Sequence, residues 1–403
     1  MPPNLTPVSQ ARDFLMSDVK PTSVIEQRSL LSSTNRVLAE DLVAPINVPP
    51  SDNSAMDGYA LRAADVVPSA ILPVTQTVYA GHAAHALQAG EAARIFTGAS
   101  IPENADAVVM QETCDEKNGQ LQINQSVSVG DNVRAQGQDI KIGSLAISRG
   151  TKLSARHIGL AASLGKDVLP VFLPLTVAVL STGDELLEPG QPASGDRIYN
   201  SNRYLLSALL ERLGANVIDV GIVPDSLNAT EQCLAKASEN ADVVISSGGV
   251  SVGDADFVKT VIESLGQLDF WKLAMKPGKP LAYGRIGSTP FFGLPGNPVS
   301  VFATFAVIVR PYLLRMQGVV GNVYPSAISI RADFNWSQAG SREEYLRAKL
   351  VRDEDGTAVT LFPNQSSGVL SSVVWADGFA VIPAGITVEA GDLVDFIPFD
   401  GIL

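Results

Sequence analysis

Residues 176–187 read TVAVLSTGDELL and residues 242–253 read DVVISSGGVSVG. In each, an unbroken run of apolar, mostly β-branched residues gives way to Ser, Thr and Gly. A strand with one wet face would alternate apolar and polar side chains, so an uninterrupted run predicts a strand covered on both faces. The intervening and following text supplies the covers. Apolar spacing predicts helices over 202–213, 228–238 and 257–265, with strands over 176–180, 216–220 and 243–246. Strand and helix alternating at this interval predict a parallel sheet with helices on both faces.

Downstream, shorter strands are expected over 271–275, 281–283 and 291–293, then a strongly apolar helix over 299–314 that stops near Gly318. Residues 322–403 carry only short β segments (327–330, 345–351, 359–361, 378–382, 393–397), which predicts a terminal β-barrel or sandwich. Upstream, Val8, Ala11, Phe14 and Leu15 fall at helical spacing, and 24–31 and 34–39 extend a helical reading to about residue 43. The run APINVPP (44–50) breaks it, and 51–143 turns to short alternating segments separated by Gly, Asn and Asp. A turn, a helix over 154–164 and a strand toward Leu175 follow. The expectation is a multidomain α/β plus β protein. An elongated, helical N-terminal domain (1–45 plus 141–175) receives a β-rich insertion (46–140), then come an α/β domain (176–316) and a C-terminal β domain (317–403).

The chain has 403 residues, 46% hydrophobic and 18% charged, enough for several cores. A net charge of −13 argues against nucleic acid or an anionic membrane as partner, because both are bound through basic faces. Any anionic substrate must then be gripped by a few local donors. The N-terminus MPPNLTPVSQARDF lacks the pattern of a signal peptide, and no apolar run reads as a membrane span, so a cytoplasmic protein is expected. Cys114 and Cys233 are too few for a disulfide framework or a zinc quartet. His82 and His85 have no third ligand at suitable spacing and read as a loop pair.

In an open parallel sheet, ligands bind beyond the carboxyl ends of the strands. Four loops of this chain read as built for that. Ser181-Thr182-Gly183-Asp184-Glu185 puts two carboxylates at a strand exit, either to hold Mg²⁺ against phosphate oxygens or to cap the next turn. Ser247, Gly248, Gly249 and Ser251 offer hydroxyls and close backbone approach. Lys276-Pro277-Gly278-Lys279 is a stiff cationic clip suited to an oxyanion. Gly296-Asn297-Pro298-Val299-Ser300 opens the apolar helix with free backbone N–H groups. Asp225, in Val223-Pro224-Asp225-Ser226, approaches the same crevice or caps the helix after it.

These loops, together with DNSAMDGYA (52–60), Thr97-Gly98-Ala99, Val108-Val109-Met110-Gln111-Glu112 and Gly137-Gln138-Asp139-Ile140, resemble the molybdopterin molybdenumtransferases, the family related to the E domain of gephyrin. The resemblance runs nearly end to end. It implies insertion of molybdate into adenylylated molybdopterin with release of AMP, in a homodimer whose cleft is completed by the partner's β-rich insertion. On that basis Asp57, Thr97 and Asp139 would face the other protomer's loops. Glu185 and Asp225 would hold Mg²⁺. Lys276, Lys279, Ser300, Arg347 and Ser367 would gather molybdate oxygens, Asp256 and the Gly-rich loop of Ser247, Gly248, Gly249 and Ser251 would contact the pterin or nucleotide, and Thr182, Asn297 and Pro298 would bind substrate beside them. Transient contact with other cofactor-biosynthesis proteins or with molybdoenzymes is a further expectation. Arg134-Ala135-Gln136 stands where family members often have several arginines, and Asp254 and Phe257 replace a common Glu and Tyr. Two alternatives have sequence arguments against them. An adenylyltransferase has no need of the insertion, the lysine clip or the terminal β domain, and a non-catalytic scaffold has no need of clustered like charges.

Overall fold

The computed structural model describes residues 5–193, 195–249, 257–354 and 356–402. At its centre is a six-stranded sheet whose strands we label in chain order: β1 (Thr176–Thr182), β2 (Asn216–Val223), β3 (Val243–Ser247), β4 (Gly266–Lys272), β5 (Pro280–Ile286) and β6 (Thr289–Leu294). The spatial order is β2-β1-β3-β6-β5-β4. The first four in that order are mutually parallel, and β5 and β4 add an antiparallel edge. The sheet is therefore mixed rather than wholly parallel, because the tight turn from β5 to β6 allows only an antiparallel neighbour. Val177, Val179, Val243 and Ile245 enter one core and Ala178, Leu180 and Val244 the other, all of them buried. Burial on both faces is what their unbroken apolar run anticipates.

The helix after β6 runs from Pro298 to Met316, with a π segment at Phe305–Val309 between two α-helical stretches. By length and composition it is apolar enough to cross a membrane, contrary to the sequence expectation. Packing explains its composition, since 83% of its most apolar window is buried inside the fold.

The N-terminal region departs most from expectation. A helix forms at Val8–Asp18, and its buried Val8, Ala11 and Leu15 join the core of the central sheet. The helical reading of 24–31 and 34–39 is wrong. Ile25–Ser29 is a strand paired antiparallel with Val168–Phe172, and Val37 and Leu38 make bridges to Lys152 and Val171. Leu42–Val43 likewise pairs with Leu145–Ile147. Clustered apolar residues fit helix or strand equally well, and partners 100 or more residues away decide between them. The chain thus runs outward along a ribbon and returns along it, with a six-stranded sheet over residues 58–123 inserted at the far end.

At the C-terminus, Ile328–Ala332, Glu343–Asp353, Gly356–Leu361, Gly378–Ile382 and Leu393–Pro398 form a sheet in which Glu343–Asp353 pairs back with Gly378–Ile382. That closure selects the barrel over the sandwich. A two-residue strand, Met275–Lys276, adds in parallel to Glu343–Glu344 and so anchors the lysine clip to the barrel.

Candidate active site

Register places the ends of the parallel strands in one row. Thr182 lies beside Val223, Ser181 beside Ser247, and Ser247 beside Leu294. Because β5 runs the other way, its first residues reach the same edge, as the pairing of Ala282 with Gly293 requires. The loops after β1, β2, β3 and β6 and the lysine clip before β5 therefore open on a common crevice, as expected for a sheet of this type.

The floor of that crevice is buried and polar. Ser181 Oγ lies 3.0 Å from Ser247 Oγ and donates to Asn200 Oδ1 at 3.3 Å. Asn202 Nδ2 donates to the Gly296 carbonyl at 2.7 Å, tying the helix Ser201–Leu213 to the loop after β6. Asn200 and Asn202 were not anticipated by sequence reasoning. Their signal is the polar cap before an apolar helix, which by itself says nothing of a site. Thr182 Oγ1 and Ser246 Oγ are buried without a hydrogen-bond partner among the described residues. Buried hydroxyls are normally paired, so such groups beside a crevice are available to a ligand.

Two glycines make the turn after β3 possible. Gly248 (φ +87°) and Gly249 (φ +64°) are left-handed, and a Cβ on either would lie 2.5 Å from the Thr182 carbonyl oxygen or 2.6 Å from its Oγ1. Ser251, expected from the loop's composition, and Asp256, assigned from the resemblance, lie outside the described residues, as does Asp254.

Asp225 does not cap the helix Leu227–Asn240. Ser226 does, its side chain accepting from the Ala229 N–H at 3.2 Å. Asp225 instead meets the loop after β1: its Oδ2 accepts from the Asp184 N–H at 3.4 Å, and its own N–H donates to Asp184 Oδ1 at 3.3 Å. Glu185 folds over Gly183, where a Cβ would stand 2.4 Å from Oε2. An all-oxygen donor set suits a hard cation. Among the described residues, however, no group of three His, Cys, Asp or Glu side chains is placed to hold a metal alone. The fit is to an ion held by one or two carboxylates with the remaining positions left to substrate phosphate and water, the usual manner for Mg²⁺.

The lysine clip is tensioned from both sides. Lys276 Nζ sits 3.1 Å from the buried Glu344 carboxylate and over the Trp336 ring, while Gly278 (φ +114°) presses on the apolar helix so closely that a Cβ would meet Thr304 Oγ1 at 2.6 Å. Lys279 is exposed. Asn297 Nδ2 donates to Ser367 Oγ at 2.9 Å, and the Val299 N–H donates to the Ser367 carbonyl at 3.1 Å, so the barrel's 366–368 loop covers the helix start. Ser300 is buried in that first turn. Arg347 is fully buried, donating to Ser372 Oγ, the Tyr345 carbonyl and the Ser366 carbonyl. Burial pushes its pKa down to about 10. In this arrangement the guanidinium supports the 366–368 loop from beneath rather than presenting an open face.

Asp57 and Thr97 come together on the inserted sheet. Asp57 Oδ1 accepts from both the backbone N–H and the hydroxyl of Thr97, each at 2.8 Å. The segment carrying Asp139 is tied to the same corner through the Gln136 N–H, which donates to Asp52 Oδ1 at 2.7 Å. This corner and the central crevice belong to separate sheets, with no strand pairing between them among the described residues.

Residues 6–165 match the family described as MoeA N-terminal region (domain I and II), residues 178–315 the probable molybdopterin binding domain, and residues 329–399 the MoeA C-terminal region (domain IV). The chain is 39% identical to a molybdopterin molybdenumtransferase of Haemophilus influenzae, over 98% of this chain and 99% of that one. It is 36% identical to a protein of the same name from a Nostoc species, over 89% and 85%. Among solved structures, a molybdopterin biosynthesis MoeA protein of Pyrococcus horikoshii superposes with a TM-score of 0.85 at 28% identity, covering 98% of this chain and all of that one.

Proposed function

Given that the chain belongs to the MoeA family of molybdopterin molybdenumtransferases, we propose that it inserts molybdate into adenylylated molybdopterin and releases AMP. The observation that carries this reading is the shared edge at which buried hydroxyls unpaired among the described residues, the carboxylates of exposed Glu185 and half-buried Asp225, and two lysines meet. Such an edge offers separate grips for a phosphoanhydride and for a second oxyanion.

The roles follow from the chemistry of each group. Thr182, Ser247 and the backbone of Gly248 and Gly249 bind the pterin and phosphate portion, with Ser251 assigned to it by its place in the Gly-rich loop and Asp256 by resemblance alone. Lys276, Lys279, Ser300 and Ser367 collect molybdate oxygens, and Asn297 and Pro298 fix the turn that carries Ser300. Arg347 adds positive charge from beneath this loop. Glu185 and Asp225 would hold Mg²⁺, which supplies neutralisation of phosphate charge when bound. Holding two anions side by side costs Coulomb energy, and preorganised cations and N–H groups offset it without reorganising.

Asp57, Thr97 and Asp139 complete the cleft from the partner in a homodimer. The N-terminal ribbon supports this reading, since Ile25, Leu31 and Val43 are exposed large apolar side chains on it. The domain boundaries expected from the sequence are part of the same proposal, as is the cytoplasmic setting that cofactor assembly requires. AMP release from adenylylated molybdopterin, measured with molybdate and with tungstate, tests the reaction. Accumulation of adenylylated product from ATP, Mg²⁺ and molybdopterin would overturn it in favour of an adenylyltransferase.

A further inference from the structure

A cavity of about 240 Å³ lies at the opposite edge of the central sheet from the candidate active site. Its charged walls come from three parts of the chain. Lys152 stands on the returning N-terminal ribbon, Arg212 in the last turn of the helix Ser201–Leu213, and Arg310 where the π segment of the apolar helix ends. Asn35 and three apolar side chains complete the lining. Because that helix starts at the active-site edge and has 13 residues, its end lies about 20 Å away.

None of the three cations makes an ion pair among the described residues. Arg310 donates to the carbonyls of Ile402 (3.0 Å), Gly401 (2.9 Å) and Val323 (3.4 Å). Those bonds satisfy its N–H groups, but neutral dipoles do not cancel a unit charge. Burial, then Arg310 and Arg212, bring the Lys152 pKa down to about 8. Among the described residues, no acidic side chain belongs to this lining. Grouping like charges in a half-buried cavity is unfavourable unless something of opposite sign enters it.

We propose that Lys152, Arg212 and Arg310 form a second anion site, distinct from the active site, that takes a small tetrahedral oxyanion such as inorganic phosphate. Size argues for the small guest, since pockets for drug-sized ligands run about 300–1,000 Å³. The bound anion joins the N-terminal ribbon, the central domain and the segment at Ile402, so it acts as a clamp on their arrangement. The inference does not depend on the proposed reaction.

Calorimetric titration of inorganic phosphate into the full chain tests it, with K276A/K279A as background to remove the active-site lysines. One phosphate per chain is expected to bind that background, and adding R212Q or K152M is expected to weaken binding at least tenfold. Arg212 is exposed at a helix end, so R212Q does not threaten the fold. Undiminished affinity in both R212Q and K152M, or no phosphate bound by the K276A/K279A background, overturns the proposal. AMP run in parallel separates free from esterified phosphate. Tighter AMP binding that is lost in R212Q overturns the assignment to a small anion, and weaker AMP binding upholds it.

Discussion

Asp57 and Lys152 carry opposite lessons about single residues. The Thr97 backbone N–H, then the Thr97 hydroxyl, hold the Asp57 carboxyl below its ordinary value of 3.8, and the Arg94 charge helps. A depressed carboxylate pKa means that the ionised form is favoured by the fold, and that this contribution disappears as pH falls through the folded value. Thr97→Val removes the hydroxyl and keeps the N–H, so the acid limb of the pH–rate profile is expected to move upward while the fold is retained. An unmoved limb would show that Asp57 ionisation does not matter to the reaction. Lys152 is the reverse case. Its folded pKa of about 8 lies below the unfolded 10.5, so protonation is disfavoured by folding and the penalty is fully present below pH 8. Lys152→Met is expected to stabilise the chain by about 1–3 kcal/mol at pH 7 in phosphate-free buffer, and the gain should vanish above pH 10.5, as thermal melts across that range would register. Asp57 could be proposed only through the family resemblance of the motif around it, which by composition alone reads as a turn. Lys152 could not, because nothing local to TKLS (151–154) tells of two arginines that arrive from residues 212 and 310.

Elements whose burial is two-sided were legible, and elements stabilised by distant edges were not. The runs at 176–182 and 243–247 are short, rich in β-branched residues and followed by glycine, which selects a strand covered on both faces over a buried helix. Ile25–Ser29 has exposed and half-buried residues in alternation, and its pairing with Val168–Phe172 is written in neither segment. The mixed character of the central sheet was hidden for a related reason: strand direction depends on the hairpin turn at Gly287–Ser288, not on the strands' composition. The turn after β3 gives the test proper to this scale. Its two left-handed glycines pack on Thr182, so Gly249→Ala places a methyl 2.6 Å from Thr182 Oγ1 and 2.7 Å from Val258 Cγ2. Strain and overpacking together should cost about 1–3 kcal/mol. Activity should fall further than this loss of stability explains, because the displaced threonine is the one proposed to bind the phosphate portion. Chemical denaturation and AMP release measured on the same variant separate the two effects, and proportionate losses would assign the turn a structural role only.

At the scale of the whole molecule, the proposed site has two halves on separate sheets. The insertion holds Asp57 and Thr97 at the end of a long ribbon, and the crevice holds Asp225 and Lys279, the lysine on a clip that pairs with the barrel through Met275–Lys276. Within a homodimer of twofold symmetry, a cleft built from one protomer's insertion and the other's crevice occurs twice. Asp57→Asn and Lys279→Ala should then each abolish most activity as pure proteins. If the two variants are unfolded together and refolded, half of the dimers are mixed, and each mixed dimer has one cleft carrying both substitutions and one carrying neither. Recovery of about a quarter of the wild-type rate is the expected result for random pairing in a C2 dimer. A cleft built within one protomer predicts no recovery at all, because every chain carries one lesion. The experiment therefore reads the geometry of the assembly through the chemistry, and it does so without reference to which pterin or which oxyanion the cleft prefers.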